Sequence, residues 1–255
     1  LAAANGVMSA LEGAGIGFPV GVEPHQVVPI VPAAVLFDLG RGGVFGNRPT
    51  DEFGALAMAA ATSDQPATGC VGAGTGALCG GIKAGFGYAE KQLTSGISVA
   101  AAVVVNAAGS AVNPATGRLW ADQGQLLAAP TDLERAALAN AYAEAQASYA
   151  TTIGVILTDA IVSKAQASKL AAVAHDGMAR AIRPIHSMLD GDTVFCLASS
   201  HRPVALEPMQ WLFAFNTLLA GAADVFADAC LDAMLAATGR GAWKSYTELA
   251  PSAVG

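Results

Sequence analysis

Apolar residues recur at helical spacing in three stretches. In Asp51 to Ala61 they are Phe53, Leu56, Ala57 and Ala60; after Ser163 they are Ala167, Leu170, Ala171, Ala174, Met178 and Ala181. From about Met209 to Thr238 they include Leu212, Phe215, Leu219, Phe226 and Ala233. Each stripe predicts a helix with one buried face. Ala2 to Leu11 predicts another, stopped by Gly13 and Gly15, and Gly239 stops the long one. Two helix starts carry capping boxes. Thr131-Asp132-Leu133-Glu134 opens an Ala-rich helix running towards Tyr149, and Ser163-x-x-Gln166 opens the second. Three runs break the helical period. Ser98 to Asn106 reads as a buried strand, and Asp190-Gly191-Asp192 reads as a tight turn into another, through Leu197. The third is Tyr149-Ala150-Thr151-Thr152-Ile153-Gly154-Val155-Ile156-Leu157-Thr158-Asp159, apolar and rich in β-branched residues. It predicts a strand in a sheet covered on both faces. Val27 to Val31 and Ala34 to Asp38 look extended and are punctuated by prolines, and residues 40–49 form a glycine-rich loop. No internal repeat is evident.

The Thr151 run carries the candidate chemistry. A hydroxyl at a strand start, behind the small Ala150, is placed to attack the preceding carbonyl. The acyl group then moves from nitrogen to oxygen, and water hydrolyses the ester. The products end at Ala150 and begin at Thr151. The freed α-amine, with an ordinary pKa of roughly 7.7–8.0, can take the proton of its own hydroxyl. Read for propensity alone, Thr-Thr at a strand start needs no function.

Other segments supply candidate partners. The run from Gly69 to Lys83 contains Gly72-x-Gly74-x-x-Ala77 but no GxxxxGK[ST] sequence. It follows no convincing strand, and no acidic residue closes a dinucleotide unit at the required distance. Its glycines read instead as places where backbone approaches closely. Lys83 is the one charge in a long neutral stretch, either solvated or held as a cation in a site. Asn106, at a strand end, can cap a turn or donate to an oxyanion. Asp190 and Asp192 form a turn, or hold an ammonium group. His186 reads as a structural histidine.

Composition narrows the classes. The 255 residues are 53% hydrophobic and 13% charged, enough for a large core and for surface buried between subunits. The net charge is -7 and no basic patch appears, which argues against nucleic acid as a partner. Cys70, Cys79, Cys196 and Cys230 form no CxxC pair; they read as free thiols of a reducing, cytoplasmic compartment, with no metal site. The most apolar segment contains Asn216, Asp224, Asp228 and Asp232, which argues against a membrane span. The chain begins at Leu1, inside an apparent helix, and reads as a fragment.

Taken in order, several stretches resemble the DmpA-type aminopeptidases, especially the branch that hydrolyses 6-aminohexanoate (nylon) oligomers and pantetheine. They are Val31 to Leu39, Gly72 to Lys83, Thr151 to Asp159, His175-Asp176-Gly177-Met178-Ala179-Arg180-Ala181-Ile182-Arg183-Pro184, and Asp190 to Phe195. The resemblance implies an α+β fold, a four-layer αββα sandwich of the Ntn-hydrolase type. It implies a single domain, 1–255, that cuts itself into chains 1–150 and 151–255. It places the nucleophile at Thr151, a lysine that favours loss of the hydroxyl proton at Lys83, and an oxyanion donor at Asn106. Asp190 and Asp192 match the acidic pair that orients the new amino terminus; they would raise the Thr151 amine pKa and Lys83 would lower it. Phe37 is expected to shape the substrate pocket. No cofactor is implied. The expected substrate is a small amide or peptide, and the expected assembly a dimer or tetramer. The family usually has Asn or Gly where this chain has Ala150, although the related ornithine acetyltransferases cut at Ala–Thr. The family also places further strands ahead of Leu1. Two other functions fit the same residues: an acyltransferase that passes the acyl group to an amine, and an uncleaved binding or scaffold protein.

Overall fold

The computed structural model describes residues 1–122, 126–145, 149–204 and 207–255. The chain divides into two compact units, one of residues 1–35 and 43–66, the other of residues 36–42 and 67–255.

The smaller unit is a helix pair with a short hairpin. Helix α1 spans Ala2–Gly13, strands β1 and β2 are Phe18–Pro19 and Val27–Val28, and α2 spans Asp51–Ala59. The helices cross where each presents a glycine. A Cβ on Gly6 would lie 1.8 Å from the Asp51 carbonyl oxygen, and one on Gly54 would lie 1.8 Å from that of Ala3. No side chain fits either position.

The larger unit holds the sheet. A two-residue hairpin joins β3 (Leu78–Cys79) to β4 (Ile82–Lys83). Its turn, Gly80-Gly81, has φ of 55° and 83°, the left-handed backbone a tight hairpin demands. The main sheet has the order β5 (Phe86–Gln92), β6 (Ser98–Val104), β7 (Ile153–Ala160), β8 (Thr193–Arg202). Its first two pairings are antiparallel and the last is parallel. The parallel pair follows from the crossover: α4 (Lys164–Ala181) returns the chain to the same end of the sheet. Helix α3 spans Asp132–Glu144 and α5 spans Pro208–Leu235; short helices at Tyr246–Leu249 and Pro251–Val254 end the chain. Both expected capping boxes form, at Thr131 with Glu134 and at Ser163 with Gln166. A third, Ser245 with Glu248, opens the helix at Tyr246.

Helices α4 and α5 pack on one face of the sheet. Leu170, Ala174 and Met178 from α4 and Leu218, Ala222, Phe226 and Ala229 from α5 are buried in one cluster with Val99, Ala101, Val103 and Ile156. Small residues bring α5 close: a Cβ on Gly87 would lie 2.0 Å from the Ala229 carbonyl oxygen. Of the four expected layers, the described residues here show this helix layer and the sheet beneath it.

Two expectations about the strands change. The sequence predicts a strand from the start of the run at 149–159, covered on both faces. Instead β7 begins at Ile153, and its burial alternates: Gly154, Ile156, Thr158 and Ala160 are buried, and the residues between them are half-buried. Helices cover only the first set. The strand after Asp192, expected to be buried, is the sheet's edge; Leu197 on it is 66% exposed. No helix among the described residues is long and apolar enough to cross a membrane.

Candidate active site

Thr151 lies just ahead of β7, in a segment held by the Asp190–Asp192 turn. The two run parallel: the Ala150 N–H donates to the Leu189 carbonyl at 2.9 Å, and the Gly191 N–H donates to the Ala150 carbonyl at 3.0 Å. The Thr151 hydroxyl donates to that same Ala150 carbonyl at 2.6 Å. The bond expected to break therefore has its nucleophile beside it and a backbone donor on its oxygen. Ala150 is buried and Thr151 half-buried. Gly191 leaves this approach open: a Cβ there would lie 3.0 Å from the Thr151 Oγ1, a tight contact from which the hydroxyl would have to shift by a few tenths of an ångström.

The two carboxylates divide the work of holding this turn. Asp190 Oδ1 accepts from the Ala108 N–H at 3.0 Å, and its Oδ2 accepts from the Ser187 N–H at 3.1 Å and from the Ser187 hydroxyl. Asp192 Oδ1 accepts from the Thr152 N–H at 2.8 Å, the amide that follows the nucleophile. Its Oδ2 lies 2.7 Å from His186 Nδ1, and its side chain is 1% exposed. The buried Thr152 hydroxyl accepts from the Asn106 N–H at 3.3 Å.

Asn106 is wholly buried, two residues past the end of β6. Its Oδ1 accepts from Arg41 at 2.5 Å and from the Leu78 N–H at 3.2 Å, and its Nδ2 donates to the Phe37 carbonyl at 3.1 Å. Arg41 also donates to the Tyr149 carbonyl at 3.3 Å. The Phe37 ring meets the Tyr149 ring edge-on, 6.0 Å between centroids. Residues 36–42 thus bind the segment before Ala150 and the side chain of Asn106 together.

Lys83 is not a solvated surface lysine. It is 1% exposed, and its ammonium donates to the carbonyls of Gly74 and Ala77 at 2.9 Å each and to that of Ala84. Burial lowers its pKa, and the nearby Cys70 opposes this. Among the described residues its hydrogen bonds pin the glycine-rich turn rather than Thr151. That turn presents the Leu78 N–H to Asn106, so Lys83 reaches the site through one peptide.

The structure therefore brings Thr151, Ala150, Asp190, Asp192, Asn106 and Phe37 together, with Lys83 bracing the Asn106 side. Sequence reasoning missed Arg41. Its signal was an arginine set among glycines, Gly40-Arg41-Gly42-Gly43, where a cation has no local reason to sit. The backbone N–H of Gly191 was missed because a turn motif does not show what its amides face.

Solved structures share this architecture. A Burkholderia sp. beta-aminopeptidase matches 97% of this chain and 69% of its own, with a TM-score of 0.66 at 20% identity. The L-aminopeptidase D-Ala-esterase/amidase of Ochrobactrum anthropi, described as a variant of the Ntn-hydrolase fold, matches 76% of this chain and 51% of its own, with a TM-score of 0.54 at 22% identity. The fold is thus that of the Ntn hydrolases, α+β in class. The sequence profile of Peptidase family S58 matches residues 1–245, and the chain belongs to that family. An uncharacterized aminopeptidase of Mycobacterium tuberculosis is 45% identical over 271 residues, spanning all of this chain and 76% of the relative. One from Mycobacterium leprae is 42% identical over 272 residues, spanning all of this chain and 74% of the relative. Family and fold together make the chain an aminopeptidase of the Ntn-hydrolase class.

Proposed function

We propose that this aminopeptidase activates itself by cutting between Ala150 and Thr151 and then uses Thr151 as its nucleophile on small amides. The observation that carries this reading is the shared contact on one oxygen: Thr151 Oγ1 at 2.6 Å and the Gly191 N–H at 3.0 Å both meet the Ala150 carbonyl. As Oγ1 attacks the Ala150 carbonyl carbon, negative charge grows on that oxygen, and the Gly191 N–H is in place to donate to it. The C–N bond breaks, the Thr151 nitrogen takes the hydroxyl proton, and an ester joins Ala150 to Oγ1. Water hydrolyses the ester to the Ala150 carboxylate and a free Thr151 amine and hydroxyl.

In the cut enzyme the amine takes the Oγ1 proton as the hydroxyl attacks a substrate amide. Asp192, which receives the Thr152 N–H in the uncut chain, lies one residue from the new ammonium and orients it, with Asp190 bracing the same turn. Asn106 spends one Nδ2 hydrogen on Phe37; the other serves the substrate oxyanion. Lys83 and Arg41 hold Asn106 for that task. Water then releases the acyl group. Departure of Ala150 from the Gly191 N–H frees space in front of the nucleophile, and Phe37, packed on Tyr149, borders it. We further propose that the enzyme works in the cytoplasm as a homo-oligomer, which sedimentation analysis checks.

The test compares the wild-type chain with Thr151→Ala on short amino-terminal amides. The variant loses both self-cleavage and turnover. A Thr151→Ala chain that still hydrolyses these amides refutes the assignment. Adding an acceptor amine separates hydrolysis from acyl transfer by the product formed.

A further inference from the structure

The carboxylate that faces the nucleophile segment is itself held by a histidine pair outside the catalytic set. Asp192 Oδ1 serves the Thr152 N–H, and Oδ2 lies 2.7 Å from His186 Nδ1. The other nitrogen of that ring, Nε2, lies 3.2 Å from Nδ1 of His175 on α4. The two rings meet edge to face, 4.8 Å between centroids. A continuous line therefore runs from the nucleophile segment through Asp192 and His186 to a helix of the core.

The backbone at His186 adds a second observation. Its φ is 56°, a left-handed conformation uncommon outside glycine, with Asn, Asp and His the side chains most often found in it. Glycine would adopt this backbone without steric cost; here it carries an imidazole whose Nδ1 lies against Asp192.

We propose that His186 is a positioning residue: its Nδ1–H holds Asp192 Oδ2, so that Oδ1 stays aimed at the nucleophile segment, and His175 fixes the His186 ring. This rests on the reading of Thr151 as the nucleophile. The hydrogen-bond roles follow from the partners. The carboxylate accepts, so His186 donates from Nδ1; with that ring neutral, Nε2 accepts from His175 Nδ1–H. Burial, and secondarily the nearness of His186, lower the His175 pKa, which favours the neutral ring this arrangement uses. Asp176, on the same helix, and Asp192 oppose that shift. Without His186, Asp192 has one oxygen unpaired in a buried site and is free to turn from Thr152.

Two variants separate the side chain from the backbone. His186→Gly relieves the left-handed strain and removes the donor. His186→Asn tolerates the same backbone and keeps an N–H close to where Nδ1 stood. Two readouts are followed: the rate of self-cleavage by intact mass, and hydrogen exchange of the Thr152 amide by NMR in the uncut Thr151→Ala chain. Stability is matched by thermal melting. The expected result is that His186→Gly slows self-cleavage about tenfold or more and speeds Thr152 exchange by a similar factor, whereas His186→Asn stays within about threefold of wild type in both. His186→Gly matching wild type in both readouts overturns the proposal. So does His186→Asn falling as far as His186→Gly at equal stability. A wild-type chain that never cuts itself removes the nucleophile reading alone, because Thr152 exchange still decides whether His186 positions Asp192.

Discussion

Replacing Gly154 by alanine places a methyl group where the Phe226 ring already lies. The new Cβ would be 2.4 Å from Cε2 and 2.6 Å from Cζ of that ring. Carbon atoms pack at about 3.5–4.0 Å, so the ring or the strand must retreat by about 1 Å. Phe226 has no exposed surface to retreat into, and a Cβ on neighbouring Gly177 would already lie 3.0 Å from its own Cβ. Overpacking of this kind costs about 1–3 kcal/mol. For a chain of this size that lowers Tm by about 2–12 °C, at roughly 2–4 °C per kcal/mol. Urea titration in the Thr151→Ala background keeps both proteins uncut; the midpoint falls and the slope stays the same. Phe226→Leu shortens the ring to a branched chain and makes room for the methyl. The double variant should therefore lose less than the sum of the two single losses. A Gly154→Ala protein as stable as its parent, or single losses that simply add, would refute the contact between β7 and α5.

Further predictions address the site and the acid limit. Arg41→Met keeps the aliphatic stem and removes the charged donors to Asn106 and Tyr149. Charge-assisted bonds are worth about 1.5–3 kcal/mol, so self-cleavage slows about 10- to 100-fold; a wild-type rate would show that Arg41 is dispensable. The His175 pKa is held below its ordinary 6.5. The unfolded chain therefore binds that proton first as pH falls, and the stability this group contributes is complete above the ordinary value and lost as pH drops through the folded one. Denaturation at about pH 7.5 and about pH 5.5 should show a smaller acid loss in His175→Gln than in the parent; an equal loss contradicts the assignment. Asp192→Asn keeps the size of the side chain but puts at most one acceptor between Thr152 and His186. It should slow self-cleavage more than Ser187→Ala, which leaves Asp190 its backbone donors.

Much of the fold was legible because its signals are local. The capping boxes at Thr131 and Ser163, the helical stripes and the Asp-Gly-Asp turn each act within a few residues. Strand β5 was not legible: Phe86-Gly87-Tyr88-Ala89-Glu90-Lys91-Gln92 has neither alternation nor a β-branched run. Its conformation comes from pairing with β6 along its whole length. The edge position of β8 was equally hidden, since Val194-Phe195-Cys196-Leu197 reads as core and only the sheet order leaves it outermost. In the site, the residue types were legible and their partners were not. Lys83 could have been solvated; it is buried because the carbonyls of Gly74, Ala77 and Ala84 converge on its ammonium. Arg41 meets groups 65 and 108 residues away, a distance no spacing rule spans.

The measurement that bears most directly on the central claim is the denaturing intact mass of fresh and aged wild-type protein beside Thr151→Ala. The account predicts two wild-type masses that divide the chain between Ala150 and Thr151, and one intact mass for the variant. A single wild-type species persisting near 25.4 kDa, or division at any other bond, would contradict it.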